Sequence, residues 1–553
     1  MKFSLLFLTI ILAGQIWGQG RKEDGLVSEP AYRSGHKVEK WTTISEEEWR
    51  GKKREEHKHL EKTLKDESFE EFIKRIQQEF ESFLDSINNE YADFLGKVWK
   101  PIHPGETAQI LKYREKRPKT EESNCDDKII EGEVIQIKTD YYIQPKPPKE
   151  IIENKETNTY NTFIFYGTPM KVRWGDAESF RFDSISNQNL AKAYKRFSDN
   201  TYKNLLFDCL SLRKEYDLCD WAYYKMLQAM TEQIWGKGTN EAVFLQGLLL
   251  GQSGYEIRFA KDSLEHHLFI LCKLKEHING YKNYKTDNGR IYYIMEKGVM
   301  ADNLFFCPHP YKGEKEMSLK ISILPKLKVQ QSDKRIIHNR QRHFTISAQI
   351  NKNLVAFFKD YPFPIFKKDI TDNEWKPLWE YYANAPASDE MSKYVYESLR
   401  EQLTGNEIQN VNTILSWVCP YDVTRIKEPP LNGRIGIPFI HDNQNSNHNQ
   451  QNSTQDQPLF PDETLMRPGG DCEDHAILFS RLVRDLLELD VVLLWYNNHL
   501  AAAVHFNSNV SGVKVADDEG KLYCVCEPSI YDGQVGLIAT KHNKETPIII
   551  KVN

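Results

Sequence analysis

Cysteine is scarce, with nine residues in 553. That is too few to staple a small-core scaffold with disulfides. The odd number leaves at least one thiol outside any intramolecular pairing. Apolar runs are short as well. After an N-terminal run of about 11 residues, no stretch approaches the roughly 20 needed to span a bilayer. No charge of one sign dominates. Against 79 acidic residues stand 73 basic ones, a formal net charge of −6, so the whole chain lacks the basic footprint of a nucleic-acid binder. Apolar residues at 40% and charged ones at 27% match ordinary globular proteins and exclude collagen-like, wholly disordered or polytopic membrane chains. At about 150 residues per domain, the length corresponds to three or four domains.

What is present has a clear order. Lys2 precedes Phe3-Ser4-Leu5-Leu6-Phe7-Leu8, and the apolar run ends at Ala13-Gly14. One positive charge, a short apolar core and then small residues read as a secretory signal over 1–19, not a membrane anchor. The expected mature protein is exported, periplasmic or extracellular, with no stable membrane insertion. Residues 20–67 are a polar lead-in. From Phe69 through Phe72, Ile76, Phe80, Phe83, Ile87, Tyr91 and Leu95 to Trp99, apolar residues recur at helical spacing, with Ser68 as the expected cap and Lys100-Pro101 as the stop. This helical segment and its linker cover 68–125. Residues 126–345 read as an α+β non-catalytic domain, with expected strands at Phe163–Phe165, Ile291–Met295 and Ser318–Leu324 and helices over about 185–230. Residues 346–553 read as the catalytic domain. Within it, 442–457 is an Asn/Gln-rich tract with nothing apolar to bury.

The chemistry concentrates after that tract. Gly469-Gly470-Asp471-Cys472-Glu473-Asp474-His475-Ala476 opens a helical apolar run. Val491–Tyr496, His499–Val504 and Leu522–Cys526 then read as strands, the last followed by Glu527-Pro528-Ser529. Backbone N–H groups at a helix N-terminus stabilise a thiolate and an oxyanion alike. A catalytic thiol also needs a base, and that base needs an orienting group. His499 and Glu527, at strand edges, are candidates. Alternation puts His505 on the same face as His499, and spacing does not choose between them. The rival is a structural zinc through Cys472 and His475, but the second Cys/His pair at metal spacing is missing. Cys524 and Cys526 share a strand face and are too splayed to bridge easily, whereas Cys209 and Cys219 are open to pairing. Asn452-Ser453-Thr454 and Asn509-Val510-Ser511 match a glycosylation pattern of low specificity.

Taken together, Gly470-Asp471-Cys472-Glu473-Asp474-His475-Ala476 and His499-Leu500-Ala501-Ala502-Ala503-Val504 resemble the transglutaminase-like cysteine peptidase superfamily, nearest its exported Bacteroidota-type branch. There a G-D-C-E-D motif opens the core helix, an H-x-x-x-A-V motif lies on a strand, and D-P-T closes the triad. Asn412–Cys419 resembles the preceding helix and Phe460–Leu465 the F-P-x-E-T-L lead-in. The resemblance covers about residues 375–540. It implies a papain-like/transglutaminase-like fold, Cys472 as nucleophile, His499 as base and acid, and Glu527 as orienting carboxylate. Glu527 and Ser529 replace the usual Asp and Thr, Cys419 stands where Gln is common, and the Asn/Gln-rich tract replaces a compact loop.

The implied activity is exported, cysteine-dependent acyl transfer on peptide or side-chain amides through a thioester, most simply a peptidase. A protein or peptide is the expected partner, with no nucleic acid, cofactor or metal. The alternative is a catalytically impaired envelope binding or scaffold protein on the same fold, which the departures from the motif motivate. Gly238–Leu245 and Gly254–Phe259 resemble the same core helix and strand, with Gly238 opposite Cys472. The middle domain is accordingly expected to be a degenerate, nucleophile-free copy, the alternative being an unrelated α+β domain.

Overall fold

The computed structural model describes residues 22–23, 26–30, 41–45, 69–105, 150, 158–278, 281–296, 301, 303–311, 314–332, 335–339, 344–362, 364–365, 375–418, 458–466, 472–496, 499–530, 533–538, 542 and 545–552. The signal segment, most of the lead-in, Ser68, the Pro145–Pro148 run, Cys419, the 442–457 tract with its Asn452 sequon, and Gly469–Asp471 lie outside them.

Two compact units divide at Leu84/Asp85. The first contains a three-stranded antiparallel meander, Lys22–Glu23, Leu26–Pro30 and Trp41–Ser45. The helix Phe69–Leu95 carries the chain into the second unit. It ends before the expected Lys100-Pro101 stop. Trp99 lies beyond it and donates its indole N–H to the Leu95 carbonyl at 3.0 Å. Lys100–Pro104 itself pairs as a strand.

The second unit, Asp85–Asn553, is α+β, and among the described residues it holds two larger antiparallel sheets beside three two-stranded antiparallel pairs. The first sheet is a closed barrel. Its strands are β1 (Lys100–Pro104), β2 (Ile257–Asp262), β3 (Leu268–Cys272), β4 (Asn283–Lys285), β5 (Ile291–Ile294) and β6 (Leu304–Phe306), in the order β4-β5-β3-β2-β6-β1. Helix α1 (Asn240–Gln252) precedes β2. The second sheet holds β7 (Val491–Tyr496), β8 (His499–Val504), β9 (Lys514–Ala516), β10 (Leu522–Cys526) and β11 (Ile548–Lys551), in the order β9-β10-β8-β7-β11. Helix α2 (Cys472–Leu487) precedes β7.

The two sheets repeat one plan. Removing β1 from the barrel leaves β4-β5-β3-β2-β6, which maps strand for strand onto β9-β10-β8-β7-β11. The registers agree too. Cys272 of β3 faces Ile257 and Tyr293, while Val504 of β8 faces Val491 and Cys524. Five residues before Cys272 and Val504 stand His267 and His499. Three residues after Tyr293 and Cys524 stand Glu296 and Glu527. Nineteen residues before Ile257 and Val491 stand Gly238 and Cys472. Beside the barrel α1 starts after Thr239, whose hydroxyl accepts from the Ala242 N–H at 3.4 Å as an N-cap. His267 bonds Asp262 at 2.7 Å.

The Ser318–Leu324 segment, expected as a strand, joins no sheet. Side chains capture its backbone donors instead. Ser318 N–H reaches Asp220, Leu319 N–H reaches Glu276 at 2.7 Å, and Ile321 N–H reaches the Tyr381 hydroxyl at 2.8 Å. An alternating apolar pattern was satisfied by burial of Leu319 and Ile321 without a ladder.

One hydrophobic core runs through the second unit from Ile87 to Ile550. Helix α2 contributes Ala476, Ile477, Phe479, Leu482 and Val483, and β8 and β10 contribute Leu500, Ala502, Val504, Cys524 and Cys526. Burying each Leu, Val or Phe stabilises by roughly 1.5–3 kcal/mol. The other alternation of these strands, including Val492, Tyr496, Ala501, Ala503 and Val525, forms a second cluster. Both faces of β7 and β8 are therefore buried, which explains why their sequences are continuous apolar runs.

Candidate active site

Helix α2 begins at Cys472, packs on β7 and β8, and is amphipathic. The short helix Pro461–Met466 leads into it. Pro461 fits the first helical position, where its missing N–H costs nothing. Glu463 accepts from the Phe460 N–H at 3.2 Å, the reciprocal half of a capping box. Phe460 stacks on Phe358 with centroids 4.5 Å apart and lies 4.8 Å from Tyr382. Asp474, two residues into α2, accepts from the Leu459 N–H at 2.8 Å. The acidic residues of both motifs thus brace the approach to Cys472. Asp462 accepts from the Ser388 hydroxyl and, at 3.4 Å, from its N–H. Burial pushes the Asp462 carboxyl up to about 6, against the pull of those hydrogen bonds.

The sheet register brings His499 and Glu527 together. Ala502 faces Cys526, so the next residue, Glu527, comes level with Ala501, two positions from His499 on the same alternation. His499 Nε2 and Glu527 Oε2 are 2.7 Å apart, with Glu527 fully buried. The extra methylene of Glu therefore spans the gap. Glu527 Oε1 accepts from the Ser529 hydroxyl at 2.6 Å and from its N–H at 3.4 Å. Ser529 supplies the hydroxyl that holds the carboxylate. His505 goes elsewhere, with Nδ1 2.8 Å from the Leu522 carbonyl oxygen. Of the two histidines that spacing left equal, His499 is the one paired with a carboxylate.

Cys472 is partly exposed at the head of α2. Its thiol donates to Glu473 Oε2 at 3.0 Å. The structure therefore assembles the imidazole–carboxylate pair, and it gives the thiol's hydrogen bond to its own neighbour on α2. The other described cysteines differ in kind. Burial pushes Cys219 and Cys307 up to about 11 and Cys272 to about 12, and raises Cys209, Cys524 and Cys526 as well. No disulfide links the described cysteines, so Cys209 and Cys219 remain thiols. His475 is buried within α2, and among the described residues no three His, Cys, Asp or Glu side chains converge as metal ligands.

One residue escaped the sequence reading. His542 lies face to face with His499, with ring centroids 4.6 Å apart and planes 3° from parallel. No motif marks it, because it lies 43 positions beyond His499.

Compared with known proteins, the chain matches no protein-family model, no curated protein and no solved structure. Among the described residues no helix is long and apolar enough to cross a membrane.

Proposed function

We propose that the chain is a cysteine-dependent acyl-transfer enzyme with a papain-like/transglutaminase-like catalytic domain, acting on peptide or side-chain amides. The observation that carries this reading is the buried 2.7 Å hydrogen bond between His499 and Glu527 beside the sheet on which the Cys472 helix packs. Nε2 is committed to the carboxylate, which leaves Nδ1 to act as base. In the first step the Cys472 S–H turns from Glu473 and passes its proton to Nδ1. The sulfur attacks the amide carbonyl, and the N–H groups at the head of α2 stabilise the oxyanion. The imidazolium then protonates the leaving amine as the C–N bond breaks, giving a thioester. Water, deprotonated by His499, releases the acid and restores the thiol. Hydrolysis is favoured over crosslinking on the family resemblance alone.

Export is part of the proposal and rests on Lys2 and the apolar run after it. The barrel domain is read as a second copy without the nucleophile, on the strength of the shared strand order and of Gly238 standing opposite Cys472. A binding protein on the same fold is the second reading, favoured by the thiol's hydrogen bond to Glu473.

Iodoacetamide at pH 7.5 separates the two readings. A thiol raised to about 11 is only roughly 0.03% ionised there, against about 10% for an ordinary one. Cys472 is expected to react first among the described cysteines, at a rate that falls in His499→Ala, and a peptide mixture is expected to be cleaved by wild type but not by Cys472→Ala. Alkylation of Cys472 that is indifferent to His499→Ala, with no cleavage, rejects the enzyme.

A further inference from the structure

The Glu527 bond fixes one edge of the His499 ring but leaves rotation about that bond open. His542 closes this freedom. Its ring covers the His499 face at 4.6 Å and 3°. His542 is itself buried, and its Nδ1 lies 3.2 Å from Glu545 Oε1. Tyr496, directly opposite His499 in the β7–β8 pairing, flanks both rings at 6.3 Å and 5.3 Å. We propose that His542 is a positioning residue for the acyl-transfer reaction, holding the plane of the His499 imidazole by stacking and coupling its own charge to the site. This rests on the function proposed above.

A ring bonded at one edge and stacked on one face keeps a single orientation, so Nδ1 stays aimed as the reaction requires, and misplacement of a base is costly. Stacked imidazoles also do not both carry a proton readily, since like charges that close disfavour each other. The charged or titratable groups around the stack include Glu527 after β10, Tyr496 on β7 and Glu545 beside His542. A proton on His542 promotes proton loss from the Cys472–His499 pair. It therefore moves the acid limb of the reaction to lower pH.

Two variants divide these roles. His542→Phe keeps an aromatic plane and removes the charge. His542→Ala removes both. The measurement is the iodoacetamide rate at Cys472 from pH 4.5 to 9, by intact mass, with melting temperatures as the folding control. His542→Phe is expected to keep the plateau rate within about threefold and to move the acid limb upward by roughly half a pH unit or more. His542→Ala is expected to lower the plateau about tenfold. A His542→Phe profile that superimposes on wild type, or a His542→Ala protein that keeps the full plateau, overturns the proposal. NMR of the His499 ring protons at fixed pH supplies an independent reading. Loss of the stacked ring in His542→Ala displaces those resonances whether or not Cys472 is reactive, and unmoved resonances refute the stack itself. A wild type whose Cys472 shows no dependence on His499 indicts the enzymatic reading instead.

Discussion

Glu527 offers the sharpest perturbation, because shortening it by one methylene keeps the charge and changes only the reach. The 2.7 Å bond to His499 is made by a fully buried side chain on a fixed strand end. Removing a methylene withdraws the carboxylate by about 1.5 Å. The gap to Nε2 then exceeds 4 Å, well beyond hydrogen-bond range. A hydrogen bond to a charged group is worth roughly 1.5–3 kcal/mol. At 1.36 kcal/mol per decade, Glu527→Asp is expected to lose about 10- to 100-fold in kcat/KM. Glu527→Gln keeps the reach and one acceptor but loses the charge that compensates an imidazolium, so it is also expected to be slow, with a smaller loss of stability. The assay is peptide cleavage, or iodoacetamide alkylation of Cys472 if the substrate is not in hand, with thermal melts to separate unfolding from lost chemistry. An Asp variant as fast as wild type would mean that this carboxylate does not orient the imidazole, and the site as described would be wrong.

Asp462 is expected to make stability depend on acid. Its folded value of about 6 lies above the ordinary 3.8, so its contribution is fully present below about 3.8 and is lost as pH rises through about 6. Wild type is expected to gain roughly 2 kcal/mol over Asp462→Asn between pH 7 and pH 4 in urea unfolding, and parallel pH dependences would exclude this. Gly247 packs α1 on the barrel so closely that an added Cβ would meet Phe259 Cε1 at 2.5 Å and Ile270 Cγ1 at 3.2 Å. Gly247→Ala is therefore expected to cost about 1–3 kcal/mol by overpacking, and an unchanged urea midpoint would show that the ring simply moves aside.

Much of the region from Cys472 to Cys526 was legible because its signals are local. The helix headed by Cys472, the strands at Val491–Tyr496 and His499–Val504, and the turn after Cys526 follow from apolar periodicity and flanking residues, and each stands where expected. What periodicity could not see was closure in space. Lys100–Pro104 reads as linker because its two prolines remove backbone donors, yet it seals the barrel between β4 and β6. Ser318–Leu324 alternates like a strand, but its donors are met by Asp220, Glu276 and Tyr381, which lie 98, 43 and 60 positions away. His542 is the same lesson at the site. A stacking partner leaves no spacing rule in the chain, whereas a register-determined pair such as His499 and Glu527 can be reached by counting along β8 and β10.

The aromatic knot at Phe460 has a practical consequence. It clasps Phe358 and Tyr382 together directly ahead of the short helix that delivers Cys472. Heating cannot loosen that knot while sparing the head of α2. Unfolding at the head of α2 and of the whole Asp85–Asn553 body should thus arrive as one event, and limited trimming between the two sheets would cut the core they share and not release a smaller folded body.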